Sequence, residues 1–193
     1  MGRGLCGSGT PFAVLRDRGA IVTAVDSSAG MLELARRRLG DGADLRVADL
    51  GSRLPFDDGA FDDVVASLVL HYLGDWGPAL AELRRVLTPG SRLILSVNHP
   101  FDIHEAQRLA GRRTSYFATC NWTEEWTMGG QTALMSFWVR PLHAMTDAFT
   151  AARFRLCLNY VNATVPVPGA EAPRIPAGLL LPIVLGVRPL TAA

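Results

Sequence analysis

The 193-residue chain contains no lysine at all: its 19 basic residues are all arginine. Schiff-base chemistry, a phosphate-binding loop lysine and the Y-x-x-x-K pair of one large oxidoreductase group are thereby excluded. Cysteine is scarce, with Cys6, Cys120 and Cys157 far apart and no C-x-x-C pair. An odd, dispersed set argues against a disulfide framework or a zinc site and fits a reducing compartment. No long apolar run exists. The most apolar late stretch, residues 178–187, is interrupted by Pro182 and is far too short to span a bilayer. The glycine-rich start has no apolar core of a signal peptide, so the N-x-T triplets at Asn121 and Asn162 read as chance matches. A cytoplasmic location is the expectation. Net charge is only +1, which gives no reason to expect nucleic acid or a membrane surface as partner.

What is present is a globular composition, 49% hydrophobic and 19% charged, of a length suited to one domain. Residues 1–100 alternate short apolar runs with helical patterns. Pro11 opens a helical pattern over 11–18. AIVTAV at 20–25 reads as a strand, and Met31 to Leu39 as a helix stopped at Gly40. LRVADL at 45–50 and DVVASLVL at 63–70 read as further strands, the second apolar enough to be covered on both faces. A helix over 78–87 ends at Thr88-Pro89-Gly90, and RLILSVN at 92–98 is again a strand. This alternation predicts an α/β fold with a mostly parallel central sheet flanked by helices. Residues 101–136 carry Trp122, Trp126 and Gly129-Gly130 without an assignable period. A helix over 142–152, a strand over 155–161, a Pro-rich loop over 164–176 and a last strand at 182–187 follow. The whole chain, 1–193, reads as a single domain. Its first hundred residues suit cofactor binding, and 101–193 form a variable acceptor pocket with the C-terminal strands.

The sharpest feature is a spacing. Cys6-Gly7-Ser8-Gly9 precedes a helix, and Asp26 follows at the tip of the next strand. Glycines there let a ligand approach the backbone, and a carboxylate at a second strand's tip can accept from both hydroxyls of a ribose. Equally, Asp26 could simply cap the helix that follows.

Three runs in order, VTAVDSSAGMLELA, then VADLGSRLPFDDGAFDDVVASLVLHYLGD, then LRRVLTPGSRLILSVNHPF, resemble class I S-adenosylmethionine-dependent methyltransferases, specifically the small-molecule group called methyltransferase type 11. The likeness covers residues 4–101 and implies a Rossmann-like fold with the cofactor across the strands' carboxyl ends. By position it implies Gly7, Ser8 and Gly9 at the methionine part and Asp26, beside Ser27, at the ribose. Met31 would lie near the adenine, Asp49 and Leu50 would bind it, and Ser67 and Leu68 would flank the sulfonium. Each has a structural alternative: Met31 as helix core, Asp49 as a turn former before Gly51, Ser67 as a small packed residue. His71 and His99 follow strand ends and are the candidate bases, against packing or turn roles. Tyr116, Trp122, Trp126, Trp138 and Arg140 fall in the acceptor region, where core packing is the alternative for the tryptophans. The resemblance implies a small-molecule acceptor and no metal.

The chain departs from the family in three places. Arg3 and Leu5 stand where an acid and a first glycine belong, with too few residues before them, so the first strand is expected to be missing. The family's N-terminal helix is absent as well, and no acidic E-P motif follows residue 161. These departures suggest an N-terminally truncated reading frame, hence the alternative of a degenerate, non-catalytic fragment. A nicotinamide-dependent oxidoreductase is the other alternative.

Overall fold

The computed structural model describes residues 3–6, 15–128, 130–161 and 182–189. A seven-stranded sheet has the order β3-β2-β1-β4-β5-β9-β8. Its strands are β1 (Arg3–Cys6), β2 (Ile21–Asp26), β3 (Asp44–Val47), β4 (Phe61–Ser67), β5 (Leu87–Asn98), β8 (Phe154–Val161) and β9 (Pro182–Pro189). β1 to β5 pair in parallel, and β9 runs antiparallel between β5 and β8. A separate antiparallel hairpin joins β6 (Cys120–Met128) to β7 (Gln131–Val139). The helices described along their whole length are α1 (Ala29–Leu39), α2 (Gly77–Val86), α3 (Pro100–Leu109) and α4 (Leu142–Ala151). None of the described helices is long and apolar enough to cross a membrane.

The expectation of a missing first strand is overturned. Arg3–Cys6 forms β1 mid-sheet, with Arg3 to Cys6 paired to Ile21 through Ala24 on one side and Gly4 and Leu5 to Asp63 and Val64 on the other. A ladder is built from backbone N–H and C=O groups, which Arg3 and Gly4 carry as well as any apolar residue. Leu5 and Cys6 thus belong to the strand. The start of the helical pattern at 11–14 and the Pro-rich loop at 164–176 lie outside the described residues.

Two strands stop earlier than their apolar runs suggest. β3 ends at Val47, and β4 at Ser67, because Leu68 adopts a left-handed backbone, φ 51°. Residues Leu70–Tyr72 then form a 3-10 turn. Thr88-Pro89-Gly90, read as a helix terminator, lies inside β5 next to a register shift opposite Phe61 and Asp63. α1 starts where Ser28 Oγ accepts the Met31 amide at 3.3 Å and ends at Gly40, whose φ of 80° suits glycine.

The largest core joins Leu54, Phe61, Val64, Leu70, Trp76 and Leu80 with Leu93, Leu95 and Phe149. Trp76 Nε1 donates to the Leu70 carbonyl at 2.7 Å and so anchors the 3-10 turn to that core. A second buried cluster, Ile103, Trp122, Phe137 and Val139, holds the hairpin to α3. Glu124 accepts from both Trp122 Nε1 (2.8 Å) and Trp126 Nε1. The sequence pattern left this stretch unassigned; the alternate spacing of Trp122, Glu124 and Trp126 and the Gly129-Gly130 pair are the signals that could have marked a hairpin.

The LPFDD segment is tied down by one arginine. Arg85 donates to the Leu54 and Phe56 carbonyls, to Glu82 and to Asp58, while Glu82 accepts the Leu54 amide at 2.7 Å. The Arg85 hydrogen bond, then burial opposing it and the Leu54 amide, leave the Glu82 carboxyl below its ordinary value. Glu82 and Arg85 are 14% and 16% exposed, Asp58 77%. Arg85→Ala is therefore expected to destabilise the fold by about 3 kcal/mol in denaturant melts, because two carbonyls and a buried carboxylate lose their partner. Asp58→Ala should cost less than about 1 kcal/mol.

Candidate cofactor site

Where β1 has β2 on one side and β4 on the other, the winding of the sheet reverses. Crevices of open α/β sheets form at such a point, outside the strands' carboxyl ends. A cavity of about 620 Å³ lies there, lined from β2 and α1 by Asp26, Ser27, Ser28 and Met31, and after β3 by Ala48, Asp49 and Leu50. β4 and the following turn supply Ser67, Leu68, Val69, Tyr72 and Leu73, and β7 supplies Met135. Sequence reasoning named seven of these as cofactor contacts: Asp26, Ser27, Met31, Asp49, Leu50, Ser67 and Leu68. The remaining three, Gly7, Ser8 and Gly9, lie outside the described residues.

The two carboxylates are held alike. Asp26 Oδ1 accepts the Ser28 amide at 2.8 Å, and Asp49 Oδ1 accepts the Gly51 amide at 2.9 Å. Each Asp closes its own turn two residues on. Each also has a second oxygen with no protein partner among the described residues. The turn-forming alternative for Asp49 is thus present in the structure, and one oxygen remains for a ligand.

Ser67 Oγ lies 3.1 Å from Ser96 Oγ across β4 and β5. The Leu68 amide donates to the Ser96 carbonyl at 2.8 Å and contacts its Oγ at 3.2 Å. These bonds hold Leu68 in its left-handed conformation, an uncommon state for a branched aliphatic residue. The turn after it can then descend past the cavity.

Neither histidine is among the residues lining the cavity. His71 is 6% exposed, with its ring 4.4 Å from Tyr72 and 6.0 Å from Phe137, and its Nδ1 has no hydrogen-bond partner among the described residues. Burial pushes its pKa down to about 4. His99 is the residue before α3, with Nδ1 buried and 3.9 Å from Asp102 Oδ1.

In the stretch expected to form an acceptor pocket, Trp122 and Phe137 are core residues, and Arg112 lies 4.2 Å over the Trp122 ring. Arg140 lies 5.0 Å over Trp76 and donates to the Gly74 carbonyl at 2.7 Å. Trp138 covers Gly74 so closely that an added Cβ would sit 3.0 Å from its ring. Tyr116 instead joins half-exposed Phe101 and exposed Phe117 at 6.5 and 5.3 Å. Met135 was not legible as a cavity residue, since it comes from the hairpin that has no period shared with the sheet. No group of three or more metal-ligating side chains occurs among the described residues.

Comparison with known proteins agrees with this architecture. Residues 5–95 match the family model described as a methyltransferase domain, of the type 11 group. A demethylmenaquinone methyltransferase of Clavibacter sepedonicus is 45% identical over 91 residues, covering 46% of this chain and 37% of that protein. A malonyl-[acyl-carrier protein] O-methyltransferase of Serratia marcescens is 40% identical over 91 residues, covering 47% and 35%. In both, the matched stretch spans well under half of the relative's own length. The crystal structure of an S-adenosylmethionine-dependent methyltransferase from Mesorhizobium loti superposes with a TM-score of 0.70 at 19% identity, over 97% of this chain and 90% of that one. Residues 5–95, just under half of the chain, are thus similar to the methyltransferase domain, and the sheet has the Rossmann-like fold of solved S-adenosylmethionine-dependent methyltransferases.

Proposed function

We propose that this chain binds S-adenosylmethionine in the switch-point cavity and transfers its methyl group to a small-molecule acceptor. The observation that carries the reading is the pair of carboxylates Asp26 and Asp49, each with one oxygen fixed by its turn and one uncommitted among the described residues. Such acceptors suit a ribose diol and an adenine amino group. The apolar side chains of Met31, Leu50 and Leu73 give the purine a surface to pack on.

When bound, the cofactor supplies an activated methyl group on a positively charged sulfur. The chain's part is to orient and to exclude water. Asp26 and Asp49 fix the nucleoside end, and Ser67 and Leu68 border the cavity beside β4. Alignment of this kind contributes on the order of 7–11 kcal/mol in favourable cases. A base is needed only where the acceptor must lose a proton. His71, with a pKa of about 4 and no place in the cavity lining, is a poor base for that step at neutral pH. His99 does not line the cavity either, but it stands at the carboxyl end of β5 and stays the candidate of the two. By their names, the relatives above act on demethylmenaquinone and on malonyl-[acyl-carrier protein]. A small acceptor of the first kind suits a chain whose exposed Phe101 and Phe117 cluster with half-buried Tyr116 after β5.

Calorimetric titration with S-adenosylhomocysteine is expected to give micromolar binding, and with NAD none. A flat S-adenosylhomocysteine titration of folded protein would favour a degenerate site, and NAD binding in its place an oxidoreductase. Asp26→Asn keeps an oxygen for the Ser28 amide but removes the charge. It should weaken S-adenosylhomocysteine about tenfold or more, since charge-assisted hydrogen bonds contribute about 1.5–3 kcal/mol each.

His71 makes a separate prediction. Its folded pKa lies below the ordinary 6.5, so between pH 6.5 and about 4 the unfolded chain binds more protons and stability falls as pH falls. The loss is at most about 3 kcal/mol. His71→Phe should flatten that part of the stability–pH curve; an unchanged slope would show that the imidazole titrates normally.

A further inference from the structure

The cavity holds two carboxylates, and no arginine or histidine is among its described lining residues. Its described side-chain donors are therefore hydroxyls, those of Ser27, Ser28, Ser67 and Tyr72. Ser28 Oγ accepts the Met31 amide, and Ser67 Oγ is paired with Ser96. Tyr72 differs. Its hydroxyl makes no hydrogen bond among the described residues, and the residue is 44% exposed on the cavity wall.

Its ring is nonetheless well placed. The ring leans on His71 at 4.4 Å, and His71 meets the edge of buried Phe137 at 6.0 Å. The 3-10 turn carrying it is fixed by Trp76 Nε1 on the Leu70 carbonyl and by the left-handed Leu68. A phenol backed by that stack keeps few rotamers, so little conformational freedom is lost when it bonds a ligand.

The chemistry of a ribose calls for such a group. Each ribose hydroxyl both donates and accepts, whereas an ionised Asp26 only accepts. A neutral donor completes the pairing. Burial and the Asp26 charge raise the Tyr72 pKa above its ordinary value, so the proton stays on the phenol. We propose that the Tyr72 hydroxyl donates a hydrogen bond to a ribose oxygen of the bound cofactor, making Tyr72 a ribose-positioning residue opposite Asp26. The inference rests on the reading of this cavity as the S-adenosylmethionine site.

The test is calorimetry on the wild type and Tyr72→Phe with two ligands, S-adenosylhomocysteine and 5′-methylthioadenosine, which shares the nucleoside but lacks the amino-acid part. Phe keeps the ring on His71, and an unchanged melting temperature checks the fold. A ribose contact predicts that both ligands weaken by the same factor, about three- to tenfold. Unchanged affinity for both, or a loss confined to S-adenosylhomocysteine, overturns the proposal. A wild type that binds neither ligand overturns the cavity reading itself, whereas wild-type binding with an indifferent Phe variant removes only the role of Tyr72.

Discussion

The sheet depends on the backbone hydrogen bonds of a four-residue strand. β1 is the element on which the two halves of the parallel sheet meet, and it has β2 on one side and β4 on the other. Strands buried on both sides need partners for every N–H and C=O, so β2 and β4 are held in register by residues 3–6. That register sets where their carboxyl ends lie. Asp26 and Ser67 occupy those ends, and the cavity exists because the two strands diverge into turns on either side of β1.

Around that frame the loops are fixed by few, strong contacts. Asp26 and Asp49 each shape a turn with one oxygen and leave the other without a partner among the described residues. Arg85 gathers two carbonyls and two carboxylates of its neighbours, fixing the segment between β3 and β4 on α2. Trp76 anchors the 3-10 turn, and the hairpin reaches the cavity through Met135 and supports Tyr72 through Phe137 and His71. The cavity wall is thus assembled from β2, β3, β4 and a hairpin outside the sheet.

Much of this was legible in the sequence. The alternation of strand and helix over residues 20–98 was periodic, and Asp26, Asp49 and Ser67 fell at strand ends in the order the family pattern requires. β1 was not legible, because Arg3 and Gly4 carry no apolar pattern and a ladder is made by the backbone. The end of β4 was hidden too: Leu68 continues an apolar run, and only its left-handed backbone, held by Ser96, stops the strand. His71 looked like a base because it follows a strand end, but its side chain turns into the aromatic stack and is desolvated there. Tyr72, its neighbour in sequence, is the one that lines the cavity.

Hydrogen–deuterium exchange with and without S-adenosylhomocysteine tests the cavity assignment most directly. The switch-point site predicts ligand-dependent protection of amides just past β2 and β3, residues 27–31 and 48–51, and of the turn over 68–73. Protection confined to the hairpin or to β8 and β9, with those turns unchanged, would contradict it.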